Sequence, residues 1–401
     1  MKLAEAGQTH LLDFYDSLTE GEKKTLLSQI ENTDLSVTRY IGRKDQLQTW
    51  TVIEPLPALE IPAIEEHREA FEEAGLDAIR KGEVAAVLLA GGMGTRLGSD
   101  APKCMYDIGL TRPVYIMQRL IENLKEVTDR AGREIPFLVM TSDRNHDQTV
   151  SFMKEHDFFG YPEDRVIFFK QDMAPAAGYD GKILLESPSS IALSPNGNGG
   201  WFESMDRAGI LASLKEQGVK WLNVFGVDNV LQRIADPCFI GAVIERGCES
   251  GAKAVRKADR NEKVGALCLE DGHPAIIEYY EMSDELLDAA DEKGNPLYNF
   301  GVILNYLFRI DALERTLGED FPIHVVEKKI ACIDDRGKAV TPDAPNGYKF
   351  EKLMIDQIRS LNSCLPYEVD RRKEFAPIKN RTGVDSVESA RALCLENGIP
   401  L

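Results

Sequence analysis

Residues 84 to 90, Val-Ala-Ala-Val-Leu-Leu-Ala, are apolar without interruption and without alternation. Such a run reads as a strand covered on both faces, which calls for an α/β arrangement with helices packed against a mainly parallel sheet. The run gives way at once to Gly91, Gly92, Gly94 and Gly98. Open α/β sheets bind ligands beyond the carboxyl ends of their strands, and a loop without side chains lets backbone N–H groups approach an anion closely. Arg96 and Lys103 bring two positive charges to the same loop. Two familiar phosphate cradles are excluded by spacing. The Walker pattern needs Gly-Lys-Ser/Thr, which does not follow these glycines. The dinucleotide fingerprint needs two residues between its second and third glycines, whereas Gly94 and Gly98 enclose three, which argues against a dehydrogenase.

The rest of the chain falls into three expected regions: a mostly helical N-terminal region over 1–82, a central nucleotide- and sugar-binding domain over 83–330, and a small C-terminal domain over 331–401. In the first, Leu11, Tyr15 and Leu18 have helical spacing, Thr19 and Glu22 form a capping box, and a helix from about Glu65 to Lys81 stops at Gly82. In the second, strand and helix patterns alternate. Pro113 is expected in the first turn of a helix with an apolar stripe at Val114, Met117, Leu120, Ile121, Leu124 and Val127. Strands follow at IPFLVMTS and at VIFFKQ, the latter closing on Gln171, with a helix near 145–156 between them. A second glycine loop, SPNGNGGW over 194–201, precedes a helix at 202–217 and the strand VKWLNVFGVDNV. That strand ends in Asp228, which on the residues alone either binds a hard cation such as Mg²⁺ or caps the next helix. The polar third region holds a helix near 349–362, and the run Arg371, Arg372, Lys373 reads as a solvated face.

A net charge of −19 argues against a nucleic-acid partner but not against a nucleotide, which a few local cations can hold. The seven cysteines form no C-x-x-C pair and no even-numbered framework, so a reducing, cytoplasmic setting is expected. No run of about 18 apolar residues occurs, so no membrane partner is expected.

The string LAGGMGTRLG followed by PKCMYDIGL resembles the signature of the eukaryotic-type UDP-sugar pyrophosphorylases, and within them the UDP-N-acetylhexosamine pyrophosphorylases. Matches run from about residue 84 to 387. The resemblance implies a Rossmann-like, GT-A-like nucleotidyltransferase domain with a mixed, mainly parallel sheet. It implies formation of UDP-N-acetylglucosamine and pyrophosphate from UTP and N-acetylglucosamine 1-phosphate, with Mg²⁺ at Asp228. Arg96 and Lys103 correspond to the catalytic cations. Leu89, Ala90, Gly91, Gly92, Gly94, Gln171, Gly197, Asp228 and Lys349 correspond to nucleotide contacts, and Asn198, Glu278, Tyr279, Asn299 and Lys379 to sugar-phosphate contacts. Lys349 and Lys379 stand in PNGYKFEK and EFAPIKN, which resemble the segments that bring lysines to the site from the C-terminal side. The chain departs from the family at Cys104, where Gly is usual, and at Val302, where Asn is usual. These departures leave open a silent nucleotide-sugar-binding homologue, and because an acetamido pocket depends on shape, a UDP-glucose or broad UDP-sugar pyrophosphorylase is the other alternative. The residues themselves agree with the transferase reading. A sugar phosphate is already ionised at neutral pH and needs neither a general base nor a covalent nucleophile, and the chain has no G-x-S-x-G elbow and no H-E-x-x-H helix. A thiol beside Lys103 could have a lowered pKa and redox sensitivity, or Cys104 could be a passive small side chain.

Overall fold

The computed structural model describes residues 2–42, 52–318 and 321–401. The part of the expected helical N-terminal region that falls at 43–51 lies outside the described residues. The chain divides into two compact units, each assembled from three stretches: Met1–Thr49, Gln171–Gly200 and Asp320–Asp356 in one, and Trp50–Lys170, Trp201–Glu319 and Gln357–Leu401 in the other. This division differs from three consecutive regions, because strand pairing joins segments far apart in sequence and sequence patterns report only local structure.

The larger unit contains a ten-stranded sheet. In chain order its strands are β1 (Ile53–Pro55), β2 (Val84–Leu89), β3 (Phe137–Thr141), β4 (Val166–Lys170), β5 (Trp221–Gly226), β6 (Ser250–Arg256), β7 (Ala266–Glu270), β8 (His273–Ile277), β9 (Phe300–Arg309) and β10 (Cys364–Glu368). The main path runs β1-β7-β9-β5-β2-β3-β4, with β8 paired to β7, β6 to β9 and β10 to β6. From β5 through β2 and β3 to β4 every pairing is parallel, while β9 runs antiparallel to β5. The sheet is therefore mixed, with its parallel half centred on the run that opened the sequence reading, and β2 is buried along its whole length.

Helix Ile116–Ala131 covers the sheet with the expected stripe: Met117, Leu120, Ile121 and Leu124 are all fully buried. It starts later than Pro113 because the Asp107 carboxylate accepts from the N–H groups of Gly109 (2.8 Å) and Val114 (2.9 Å), holding the intervening chain out of the helix. Helix Arg68–Lys81 ends at Gly82 as expected. The helical pattern after the second glycine loop divides into Trp201–Arg207 and Ile210–Glu216.

The smaller unit has helix Glu20–Asn32, opened by the expected Thr19–Glu22 capping box, and a core of Leu11, Leu26, Ile30, Leu35, Ile183, Leu185 and Ile191. Residues 9–17 form two short 3₁₀ turns, Thr9–Leu12 and Tyr15–Ser17, rather than a helix. A three-stranded sheet places Gly347–Glu351 between His324–Lys328 and Ala177–Gly178. Lys349 is thus on a strand and not in the helix expected from 349; that helix begins at Met354. The aromatic alternation of Tyr348 and Phe350, with Phe350 buried, outweighs the helical spacing of the residues that follow.

Candidate active site

The glycine loop begins where β2 ends, with Leu89 and Ala90 buried at its root. It closes on itself. The Lys103 N–H donates to the Gly92 carbonyl (3.1 Å), the Gly94 N–H to the Ala101 carbonyl (2.9 Å), and the Ser99 N–H to the Gly94 carbonyl (3.1 Å). Gly98 adopts φ +76°, a left-handed conformation that a side chain would strain. From the turn after β3, Asn145 Nδ2 donates to the carbonyls of Ala90 (2.8 Å) and Gly92 (3.3 Å), and Ser142 Oγ to that of Gly91 (3.0 Å). With these carbonyls held inside and the Gly94, Ser99 and Lys103 N–H groups bonded within the loop, the turn's remaining peptide N–H groups are what it can offer a phosphate. Ser142 and Asn145 are fully buried polar residues that sequence reasoning passed over, since their only visible signal is a Ser-x-x-Asn turn after a strand.

Asp228 follows β5, next to β2 in parallel register. It does not cap the next helix; Asp236 does, accepting from the Cys238 N–H at 3.1 Å. The segment Glu374–Ile378 is fastened alongside Asp228 and Val230. The Ile378 N–H donates to the Asp228 carbonyl (2.9 Å), the Ala376 N–H to Asn229 Oδ1 (2.9 Å), and Asn229 Nδ2 to the Glu374 carbonyl (2.7 Å). This pairing delivers Lys379 beside Asp228, where its ammonium also meets Asp385 at 3.0 Å.

Arg96, Asp228 and Lys379 are each close enough to Lys103 to act on its charge. Burial holds the Lys103 ammonium below its ordinary pKa; Arg96 and Lys379 push the same way and the Asp228 carboxylate opposes them. Arg96 itself is exposed at the loop surface. The buried Lys103 thus has two further cations and one carboxylate within electrostatic reach beyond the ends of two parallel strands, a placement suited to a polyphosphate and its counter-ion. Among the described residues no three His, Cys, Asp or Glu side chains cluster as a metal cage. A lone, half-buried Asp228 still fits Mg²⁺, which keeps several waters and is commonly bound by one or two carboxylates plus substrate phosphates.

Cys104 occupies the short 3₁₀ turn Lys103–Met105 without a positive φ, so the family's glycine leaves no strained position behind. Its thiol is buried, 3.9 Å from Thr149 Oγ1, and burial pushes its pKa up to about 12. The reading of a low-pKa, redox-sensitive thiol is corrected accordingly: no cation offsets the loss of solvent.

Of the sugar-side candidates, Glu278, Tyr279 and Asn299 lie at the antiparallel half of the sheet. Glu278 follows β8, with its backbone N–H donating to Glu281 (3.0 Å), and comes within electrostatic reach of buried Tyr306. Tyr279 is exposed and meets Tyr280 edge to face. Asn299 precedes β9, its carbonyl accepting from the Lys257 N–H at 2.9 Å, and Val302 pairs with Ala254 across a bulge. A residue no pattern suggested is Leu304, which holds φ +53° within β9 and packs over Gly226 at the end of β5. Leucine is not a turn former, so nothing in the sequence marks this strained position.

The smaller unit carries Gln171, Gly197, Asn198 and Lys349. Gln171 is buried just past the end of β4 rather than within it. Gly197 has φ +88°, and a Cβ there would come 2.2 Å from the Lys352 carbonyl oxygen. The loop is laced to the segment after Lys349: the Lys352 N–H donates to the Asn196 carbonyl (2.7 Å), the Gly199 N–H to the Lys352 carbonyl (2.9 Å), and the Met354 N–H to Asn198 Oδ1 (3.1 Å). The second glycine loop and the strand bearing Lys349 therefore form one local assembly.

A glycine turn at the end of a buried parallel strand, with a buried lysine in reach of two further cations and one carboxylate, is an arrangement suited to a nucleotide-binding α/β protein. The chain belongs to the family described as UTP–glucose-1-phosphate uridylyltransferase, which it matches over residues 34–395. It is 36% identical to the UDP-N-acetylglucosamine pyrophosphorylase of Saccharomyces cerevisiae over 421 residues, 98% of this chain and 88% of that protein. It is 35% identical to UDP-N-acetylglucosamine diphosphorylase 2 of Arabidopsis thaliana, covering 98% of this chain and 82% of that one. Its fold is similar to the crystal structure of the uridine diphosphate N-acetylglucosamine pyrophosphorylase from Trypanosoma brucei in complex with inhibitor, with a TM-score of 0.84, 26% identity, and coverage of 98% of this chain and 83% of that one. No helix among the described residues is long and apolar enough to cross a membrane.

Proposed function

We propose that the protein forms UDP-N-acetylglucosamine and pyrophosphate from UTP and N-acetylglucosamine 1-phosphate by in-line attack of the sugar phosphate on the α-phosphorus. The observation that carries this reading is the approach of Arg96, Asp228 and Lys379 to the buried Lys103 at the glycine loop, in a chain so similar to proteins of that name. The attacking oxygen is anionic already, so the protein's work is to align it and to offset charge gathering on the leaving pyrophosphate. The glycine-loop N–H groups and Arg96 hold the β and γ phosphates. Lys103 holds the α-phosphate, and Lys379 the incoming sugar phosphate. Asp228 is the residue that would hold Mg²⁺, which supplies Lewis-acid charge to phosphate oxygens when bound. Gln171, Gly197 and Lys349 serve the nucleotide, and Asn198, Glu278, Tyr279 and Asn299 the sugar.

The test is pyrophosphate release from UTP with N-acetylglucosamine, N-acetylgalactosamine and glucose 1-phosphates in turn, with and without Mg²⁺. Preferred turnover of N-acetylglucosamine 1-phosphate is expected. Preference for glucose 1-phosphate would replace the sugar assignment, and no release from any of them would leave a binding protein.

A further inference from the structure

Lys257 stands immediately beyond the last residue of β6. Because β6 is antiparallel to β9, and β9 to β5, β6 runs in the same direction as β5 and β2. Its carboxyl end therefore lies at the edge of the sheet that carries the glycine loop and Asp228. The sugar-side segments meet Lys257 there. Its backbone N–H donates to the Asn299 carbonyl just before β9 (2.9 Å), and its ammonium lies 3.4 Å from Met282 Sδ. Met282 follows the turn Glu278–Glu281, closed by the Glu281 N–H on the Glu278 carbonyl at 2.9 Å. That turn is kept at the same edge because Ile277, which ends β8, pairs with Ala266, and Ala266 pairs with Gly301 at the start of β9.

The ammonium is short of a matched partner. Burial holds the Lys257 pKa below its ordinary value, and Glu262, the one group whose charge acts on it, opposes burial without overcoming it. The Glu262 carboxylate is already engaged, accepting from the Ala258 N–H (2.6 Å) and from Arg371 (2.7 Å). Among the described residues Lys257 makes no ion pair, and the thioether it touches is a weak acceptor. A partly desolvated cation in this state gains from any oxygen a ligand brings. We propose that Lys257 is a further sugar-binding residue, which donates a hydrogen bond to an uncharged oxygen of the sugar, a ring hydroxyl or the acetamido carbonyl. This rests on the reading of the protein as a sugar-1-phosphate uridylyltransferase. The cations assigned to the phosphates do not act on the Lys257 charge, so the ammonium stands apart from them and meets the ring rather than its phosphate. Glu278 complements it: its carboxylate Oε1, 3.5 Å from where a Cβ on Gly265 would stand, can only accept, whereas Lys257 can only donate.

Pyrophosphate release by the wild type, Lys257→Met and Lys257→Arg, with N-acetylglucosamine 1-phosphate, its singly deoxygenated analogues and glucose 1-phosphate, tests this. Methionine keeps the length and apolar stem of the lysine and packs against Met282. Lys257→Met should raise the KM for N-acetylglucosamine 1-phosphate by about tenfold or more, as for loss of one charge-assisted hydrogen bond, and leave the KM for UTP unchanged. Lys257→Arg should recover part of the loss. The loss should vanish for the one sugar phosphate that lacks the oxygen Lys257 holds. Unchanged KM in Lys257→Met would overturn the proposal. An equal loss on every sugar phosphate would also overturn it, since the lysine would then act only by propping the Glu278 turn. If the wild type releases no pyrophosphate from any sugar phosphate, the transferase reading fails by itself, and calorimetric titration of UDP-N-acetylglucosamine reads the same contrast. Weaker binding to Lys257→Met would then support the sugar contact, and equal affinity, or no binding to the wild type, would overturn it.

Discussion

The Lys103 ammonium sits where burial and two neighbouring cations disfavour its charge and one carboxylate favours it. Its protonated form is the useful one, and a lowered pKa means that form is lost at lower pH than for an exposed lysine. The alkaline limb of kcat/KM should therefore begin below the usual lysine range, and Lys103→Arg should move it upward, because guanidinium does not titrate there. Lys103→Ala should lower kcat by about 10² to 10³ fold, as for one preorganised electrostatic group. Rates near wild type in Lys103→Ala would remove it from the mechanism. Cys104, next in sequence, behaves oppositely. With its thiol buried and its pKa pushed up to about 12, iodoacetamide at pH 8 should leave it unlabelled in the folded protein, as read by mass spectrometry. Rapid labelling would show a reactive thiolate that the buried geometry does not support.

At the scale of elements, Gly197 shows what a loop residue can decide. A methyl group there would need both an unfavourable φ and the displacement of the Lys352 carbonyl, so Gly197→Ala should unlace the loop from the strand that carries Lys349. The expected result is a raised KM for UTP and faster hydrogen exchange at the Gly199 and Lys352 amides; unchanged protection at both would refute the coupling. The sequence showed this loop as glycine-rich but not its partner, because the lacing joins residues far apart along the chain. By contrast, β2, β3 and β5 were legible as apolar runs, since a strand buried on both faces has no solvent-facing residues to confuse the pattern. Arg96, Lys103 and Asp228 stand out as candidates through their motif. The pairing that brings Lys379 to Asp228 was not legible, because it rests on Asn229 side-chain bonds that leave no periodic trace. Lys349 was misread as helical since a five-residue strand directly preceding a helix blends into the helix pattern.

At the scale of the whole molecule, the larger unit is stitched by a buried charge cluster that no single segment contains. Lys253, on β6, is fully buried, and its Nζ donates to Asp236 at the start of helix Pro237–Glu245 (2.8 Å) and to Glu374 in the segment leading to Lys379 (2.6 Å). Burial alone would lower the Lys253 pKa, yet the two carboxylates outweigh it and raise it. For Asp236 burial acts upward, and the Lys253 charge overrides it to hold the carboxyl below its usual range. Replacing the lysine with a similar apolar volume removes the cation and strands both acids, so Lys253→Met should cost about 3–5 kcal/mol at neutral pH, measured by urea unfolding. The pH dependence separates this from a simple packing defect. In the wild type a lowered Asp236 pKa gives stability that is present above the ordinary carboxylate range and lost only as pH falls below that range, through the lowered folded value. In the variant the stranded acids have raised pKa values, so the folded state takes up protons first and gains relative stability on acidification. The gap between the two proteins should therefore narrow toward about pH 4. A gap constant from pH 7 to pH 4 would mean that Lys253 contributes through packing and not through its charge.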